Sequence, residues 1–125
     1  MQGLAYADVI PYLLKVIPEI RQLYERRVKA LYAENNPHVI YGSIFFEHIE
    51  SLEKQLEGPN REAAESSLRK AFLLLEELSS SEDFQTRCLA ETSVLESLLG
   101  EKGGHKRYER FMGSETRKLA RDVLA

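Results

Sequence analysis

Glu47, His48 and Glu50 are the closest grouping of side chains that could do acid-base or metal chemistry. A metal centre inside a helical bundle needs Glu-x-x-His pairs on two helices, so that both members of each pair face one ion. The sequence contains no such pair, and neighbours within 47–50 point to different faces of a helix. We therefore expect these residues to form the solvated rim of an amphipathic helix.

The other histidines and the single cysteine offer no clearer chemistry. His38 follows Asn36-Pro37 and His105 follows Gly103-Gly104, and neither belongs to a recognisable zinc motif. We expect a capping or packing role for His38, with donation at a binding edge as the alternative. The glycine pair lacks the pattern of a phosphate-binding loop and predicts a hinge or flexible loop. Cys88 is the lone cysteine and is expected to be a packing residue.

Charge is uneven along the chain, although the net charge is only −3. Residues 71–101 hold seven acids against one base, and residues 102–125 hold seven bases against three acids. The C-terminal bases alternate with aromatic residues and are the best candidates for binding nucleic acid: Lys102, Lys106, Arg107 and Arg110, with Tyr108 and Phe111 between them. The sequence pI of about 5.7 argues against that function, so we expect the basic end to neutralise the acidic stretch.

Three acids interrupt strongly apolar stretches: Glu76, Glu77 and Glu96. If their helices pack side by side, these carboxylates line one edge of a groove. Such an acidic edge would attract a basic partner and speed the encounter. The alternative, which the sequence alone favours, is an ordinary charged face.

Length and composition predict one all-α domain over residues 1–125. The chain is 43% hydrophobic and 30% charged, and its apolar residues recur at helical spacing rather than in alternation. It has no run of about 20 apolar residues and no signal-peptide pattern at its start, so we expect a cytoplasmic protein. The sequence leaves the oligomeric state open.

The pattern of caps and breaks predicts five to seven helices in an irregular antiparallel bundle or a short HEAT-like stack. The predicted helices cover about 7–16, 18–35, 38–57, 61–79, 82–99, 105–111 and 114 to the end. Asn60 and the serines at 79–81 are the predicted N-caps. Gly100 is the predicted C-cap. In the helix over 82–99, the predicted inner face is Phe84, Cys88, Thr92, Leu95 and Leu98 or Leu99.

Four short landmarks together resemble a family of small helical bacterial proteins associated with the immunity proteins of polymorphic toxin systems. They are residues 36–42, 72–76, 93–98 and 111–116. The resemblance implies a cytoplasmic protein that binds a cognate toxin domain and blocks it without catalysis or a cofactor. Its matching polar positions are His38, Glu76, Glu96 and Glu115.

The predicted function is therefore an immunity-type binding protein with a protein partner, and it is not an enzyme. The candidate partner-binding residues are His38, Glu76, Glu77, Glu96 and Glu115. A HEAT-like scaffold or adaptor is the alternative. A hydrolase using Glu47 or His48 is the third possibility.

Overall fold

The computed structural model describes residues 3–31 and 36–125. Within these ranges the chain is an all-α bundle of seven helices, as predicted, joined by short 3₁₀ turns. The helices are α1 (Val9–Val16), α2 (Arg21–Leu31), α3 (37–55), α4 (Arg61–Ser79), α5 (84–100), α6 (Gly104–Tyr108) and α7 (Ser114–Leu124). The 3₁₀ turns are Tyr6–Asp8, Pro18–Ile20 and Glu109–Phe111. The predicted end of the second helix near residue 35 and the side chain of the predicted core residue Leu31 lie outside what the structure describes.

The helix α4 confirms the periodicity argument most directly. Its predicted inner residues are all buried: Ala64, Leu68, Ala71, Phe72, Leu75 and Leu78. It packs against α3 on one side and against α5 and α7 on others, so it lies at the centre of the bundle.

Two helices contain stretches of π-helix that helical periodicity alone did not predict. They are Ile40–Phe45 within α3 and Leu89–Leu95 within α5, and these two stretches contact each other. A π turn holds more residues than an α turn, so it rotates the buried face along the helix. The buried residues of α5 are accordingly Leu89, Ala90, Val94 and Leu95, followed by Leu98 and Leu99.

The predicted inner face of α5 is therefore wrong in its first half. Phe84 is 68% exposed, Thr92 is exposed and Cys88 is only half-buried. The extra residue in the π stretch displaces the 3.6-residue pattern that links these positions to Leu95.

Two predicted helix caps are wrong, and a third is right in position only. Asn60 is the N-cap residue of α4, but its side chain makes no capping hydrogen bond. The N-cap of α5 is Asp83, which accepts from the backbone amide of Gln85 at 3.0 Å. Ser81 instead donates to the carbonyl of Leu4 at 2.5 Å, a contact 77 residues apart. Gly100 is the last residue of α5 rather than the residue that follows it.

The glycine pair at the start of α6, Gly103 and Gly104, is a close-packing site and not a loose hinge. Gly103 adopts φ +76°, which favours glycine. Gly104 is buried, and a Cβ built on it would lie 2.0 Å from the backbone oxygen of Leu98. The chain can therefore turn tightly from α5 into α6 only because a glycine stands there.

Candidate functional site

An open cleft of about 730 Å³ lies between α1, the start of α2 and the start of α3. Val9 and Leu13 of α1 are buried in the core. The residues that follow them, Ile10 and Leu14, are half-buried and line the cleft. The lining is mainly aromatic and aliphatic with two bases: Tyr6, Ala7, Ile10, Pro11, Leu14, Tyr24 and Pro37, with Lys15 and Arg21. Such a mixture of apolar surface and a few polar groups is typical of binding sites.

The helix α2, whose start lines this cleft, is the most basic element among the described residues. Residues 21–31 contain four bases and one acid. Arg27 is paired with Glu47 of α3 at 2.7 Å. Among the described residues, the ion pair of Arg21 is a 4.0 Å contact with Glu25, and the Arg21 side chain is 57% exposed. Arg21 is therefore available to a partner, because so exposed and long an ion pair contributes little.

Hydrogen bonds between distant residues hold the walls of the cleft in place. The buried hydroxyl of Tyr41 in α3 donates to the carbonyl of Val9 at the start of α1, at 2.7 Å. The amide of Tyr6 donates to the Asp83 carboxylate at 2.8 Å, which lowers the pKa of Asp83. The segment before α1 is thereby fixed to both α3 and α5.

His38 lies at the α3 edge of the cleft, beside Pro37. Its Nδ1 is 2.5 Å from the Ser93 hydroxyl in the π stretch of α5, and its ring lies 6.2 Å from that of Tyr6. Gly42 faces Ser93 as well, and a Cβ there would lie 3.4 Å from the Ser93 carbonyl. The two π stretches thus meet next to the cleft, and π turns are frequent at functional sites.

The other predicted partner-binding residues have different surroundings. The carboxylate of Glu76 accepts from the backbone amides of Glu115 and Thr116, at 3.0 and 2.9 Å, and so caps α7. Glu77 lies beside Tyr12 in a separate recess. Glu96 is exposed on α5.

Glu115 meets Glu76 through its backbone amide, while its carboxylate is paired with Lys118 at 3.0 Å on the same helix. The structure therefore places Glu76 and Glu115 together at a helix start. It does not place Glu76 and Glu77 along a common acidic groove.

The 47–50 group is divided among separate contacts. His48 is half-buried near the Glu19–Lys70 ion pair, and burial lowers its pKa. Partial burial and hydrogen bonding to Glu101 raise the pKa of Glu50. Among the described residues, no three His, Cys, Asp or Glu side chains form a group that could hold a metal ion.

The C-terminal bases are partly taken up by ion pairs within the fold. Arg110 pairs with Glu65 of α4 at 2.8 Å, and its guanidinium lies 4.2 Å from the ring centroid of Phe111. Arg107 pairs with Glu101 at 3.1 Å. These arginines attach the C-terminal segment to the bundle, and only Arg107 reaches an acid of the 71–101 stretch.

A family model for a domain of unknown function, DUF7674, matches residues 10–124. The chain belongs to the DUF7674 family. The match covers the bundle from Ile10 onward, so most of the cleft is part of the DUF7674 domain, whereas Tyr6 and Ala7 precede it. Comparison with curated proteins and with solved structures found no match.

Within the described part of this DUF7674 protein, no helix combines the length and apolar character needed to cross a membrane. The cleft residues were not predicted as a site. The available sequence signal was the excess of bases at 21–29 together with Tyr6 and Tyr24, but only the packing of α1 against α2 and α3 brings these side chains together.

Proposed function

We propose that this DUF7674 protein is a non-catalytic binding protein that neutralises a cognate bacterial toxin by 1:1 contact, and that the cleft is its contact surface. The observation that supports the proposal is the cleft itself, with tyrosines, aliphatic side chains and an arginine around one concavity. Tyrosine and arginine are enriched at the residues that dominate binding energy in protein interfaces.

The anchoring of the cleft also supports stoichiometric binding. The Tyr41–Val9 and Tyr6–Asp83 hydrogen bonds hold both ends of the 6–9 segment before a partner arrives. A surface that is ordered in advance loses less conformational entropy on binding, which favours a tight complex. The toxin as partner rests on the resemblance of the four sequence landmarks to immunity proteins.

The experiment tests protection from a toxin encoded beside the gene. The neighbouring reading frame is expressed alone and then with this protein, and growth is measured. Growth arrest that the protein relieves, with a 1:1 complex by light scattering, is the expected result. Ile10→Glu in the cleft should abolish relief, whereas Leu73→Glu should not, because Leu73 is 65% exposed on α4 and does not line the cleft.

Thermal melting of both variants checks that they remain folded. A neighbouring protein without growth arrest, or arrest that the protein does not relieve, would refute the immunity function. Recovery of several different partners at low stoichiometry would favour the scaffold function instead.

A further inference from the structure

We infer that the cleft binds an acidic protein segment that places an apolar side chain on the cleft floor and its carboxylates against Lys15 and Arg21. The inference rests on the proposed function and adds the chemistry of the partner. It differs from the alternative considered for Glu76, Glu77 and Glu96, in which an acidic groove would attract a basic partner.

The charge around the cleft is opposite to that of the whole protein. The net charge is −3, yet among the described residues that line the cleft the two that are charged at neutral pH, Lys15 and Arg21, are both bases. Lys15 is exposed, and within the part of the chain that the structure describes Arg21 pairs with Glu25 at 4.0 Å. A local basic surface on an acidic protein attracts acidic partners and repels basic ones.

Two of the acids considered for a basic partner, Glu76 and Glu77, have other contacts in the fold. Glu76 caps α7 and accepts hydrogen bonds from the backbone amides of Glu115 and Thr116. Glu77 is separated from it in the recess beside Tyr12. These two carboxylates therefore have different surroundings, one capping a helix and the other lining a recess.

The floor of the cleft distinguishes a protein from a nucleic acid as its occupant. Ile10, Leu14 and Pro37 are half-buried and aliphatic, which suits an aromatic or branched aliphatic side chain. Two bases are too few to neutralise a run of phosphates, which supplies most of the affinity of nucleic-acid binding. An acidic segment with one apolar side chain can contact both the apolar floor and the two bases of the cleft.

The test is a titration of ¹⁵N-labelled protein followed by amide chemical shifts, which detects weak binding and locates it. The acidic probe is the peptide acetyl-EEWLEELLEE-amide, and its controls replace every Glu by Gln or by Lys. A single-stranded 12-mer of thymidylate is the nucleic-acid probe. We expect the acidic peptide to shift amides at 6–24 and near 37. It should bind about tenfold more tightly than the Gln peptide at low salt, since two exposed ion pairs are worth about that factor.

Charge reversal provides the decisive comparison. Lys15→Glu with Arg21→Glu should remove the preference for the acidic peptide and create one for the Lys peptide. Lys102→Glu with Lys106→Glu makes the same change in net charge at exposed positions outside the cleft and should leave the preference unchanged.

Three results would overturn the inference: equal binding of the Gln or Lys peptide, shifts confined to another surface, or binding of the oligonucleotide without binding of the acidic peptide. Absence of any shift at millimolar peptide would overturn it too. These outcomes are separable from the growth assay. If the charge-reversed variant still relieves toxicity, the immunity function stands and the acidic partner does not.

Discussion

The start of α7 depends on a carboxylate from a different helix, and removing it is the sharpest test of the fold. Gly113, the N-cap residue of α7, has no side chain that could cap the helix. Glu76 supplies the acceptors instead, bonding to the amides of Glu115 and Thr116 and to the Thr116 hydroxyl at 2.9 Å. Glu76→Ala deletes all three bonds, while α7 retains its own sequence.

The expected loss follows from these contacts. Losing an N-cap costs about 1 kcal/mol, and losing a negative charge at a helix start costs about 0.3–1 kcal/mol. The buried Thr116 hydroxyl loses its charged partner, worth about 1 kcal/mol more, although Ser79 remains 3.1 Å away. We expect Glu76→Ala to lower the free energy of unfolding by about 2–3 kcal/mol, or the melting temperature by about 10 °C.

Gly113 offers an independent route to the same cap. A Cβ at this position would lie 2.5 Å from Oε1 of Glu76, while the backbone itself, at φ −80°, accepts alanine. Gly113→Ala should therefore displace the carboxylate and cost about 1–2 kcal/mol. In the Glu76→Ala background there is no carboxylate to displace, so the same change should cost almost nothing.

The assay is urea unfolding of wild type, both single variants and the double variant. The control is Glu96→Ala, at an exposed position, and its free energy of unfolding should lie within about 0.5 kcal/mol of that of wild type. The predicted coupling between Glu76 and Gly113 is about 1–2 kcal/mol. Costs that add to within about 0.5 kcal/mol would show that the two residues act separately, and the cap would be refuted.

Three further predictions concern buried groups. The difference in free energy of unfolding between His48→Gln and wild type should be constant above about pH 6.5 and should shift in favour of the variant as the pH falls. Burial lowers the pKa of His48 in the folded state, so the histidine of the unfolded chain, with its ordinary pKa of about 6.5, is protonated first and wild type is destabilised. Urea unfolding at pH 7.5 and 5.0 checks this, and an equal pH response would contradict it. Tyr41→Phe should cost about 1–2 kcal/mol in urea unfolding, because it removes the buried bond to the Val9 carbonyl; an unchanged midpoint would exclude this role. Gly104→Ala should cost more than about 2 kcal/mol, whereas Gly100→Ala, with no atom within 4 Å of the added Cβ, should stay within about 0.5 kcal/mol, and equal melting temperatures would refute the close packing.

The two π stretches show where periodicity ceases to predict burial. Apolar pairs recur at Leu89-Ala90 and Val94-Leu95, five residues apart, and this spacing is a local signal of π winding. Reading α5 with a period of 3.6 residues instead placed Phe84 and Thr92 in the core, and both are exposed.

The sequence by itself determined the all-α class, most helix bounds and the inner face of α4, because helical periodicity and Pro or Gly breaks depend on neighbouring residues. Tertiary structure decided the rest. Glu76 caps a helix because α7, 39 residues further along the chain, delivers its amides there. Lys15 and Arg21 share a cleft with Pro37 because α1, α2 and α3 fold around it. Such meetings depend on packing between distant segments, which no local pattern of residue types encodes.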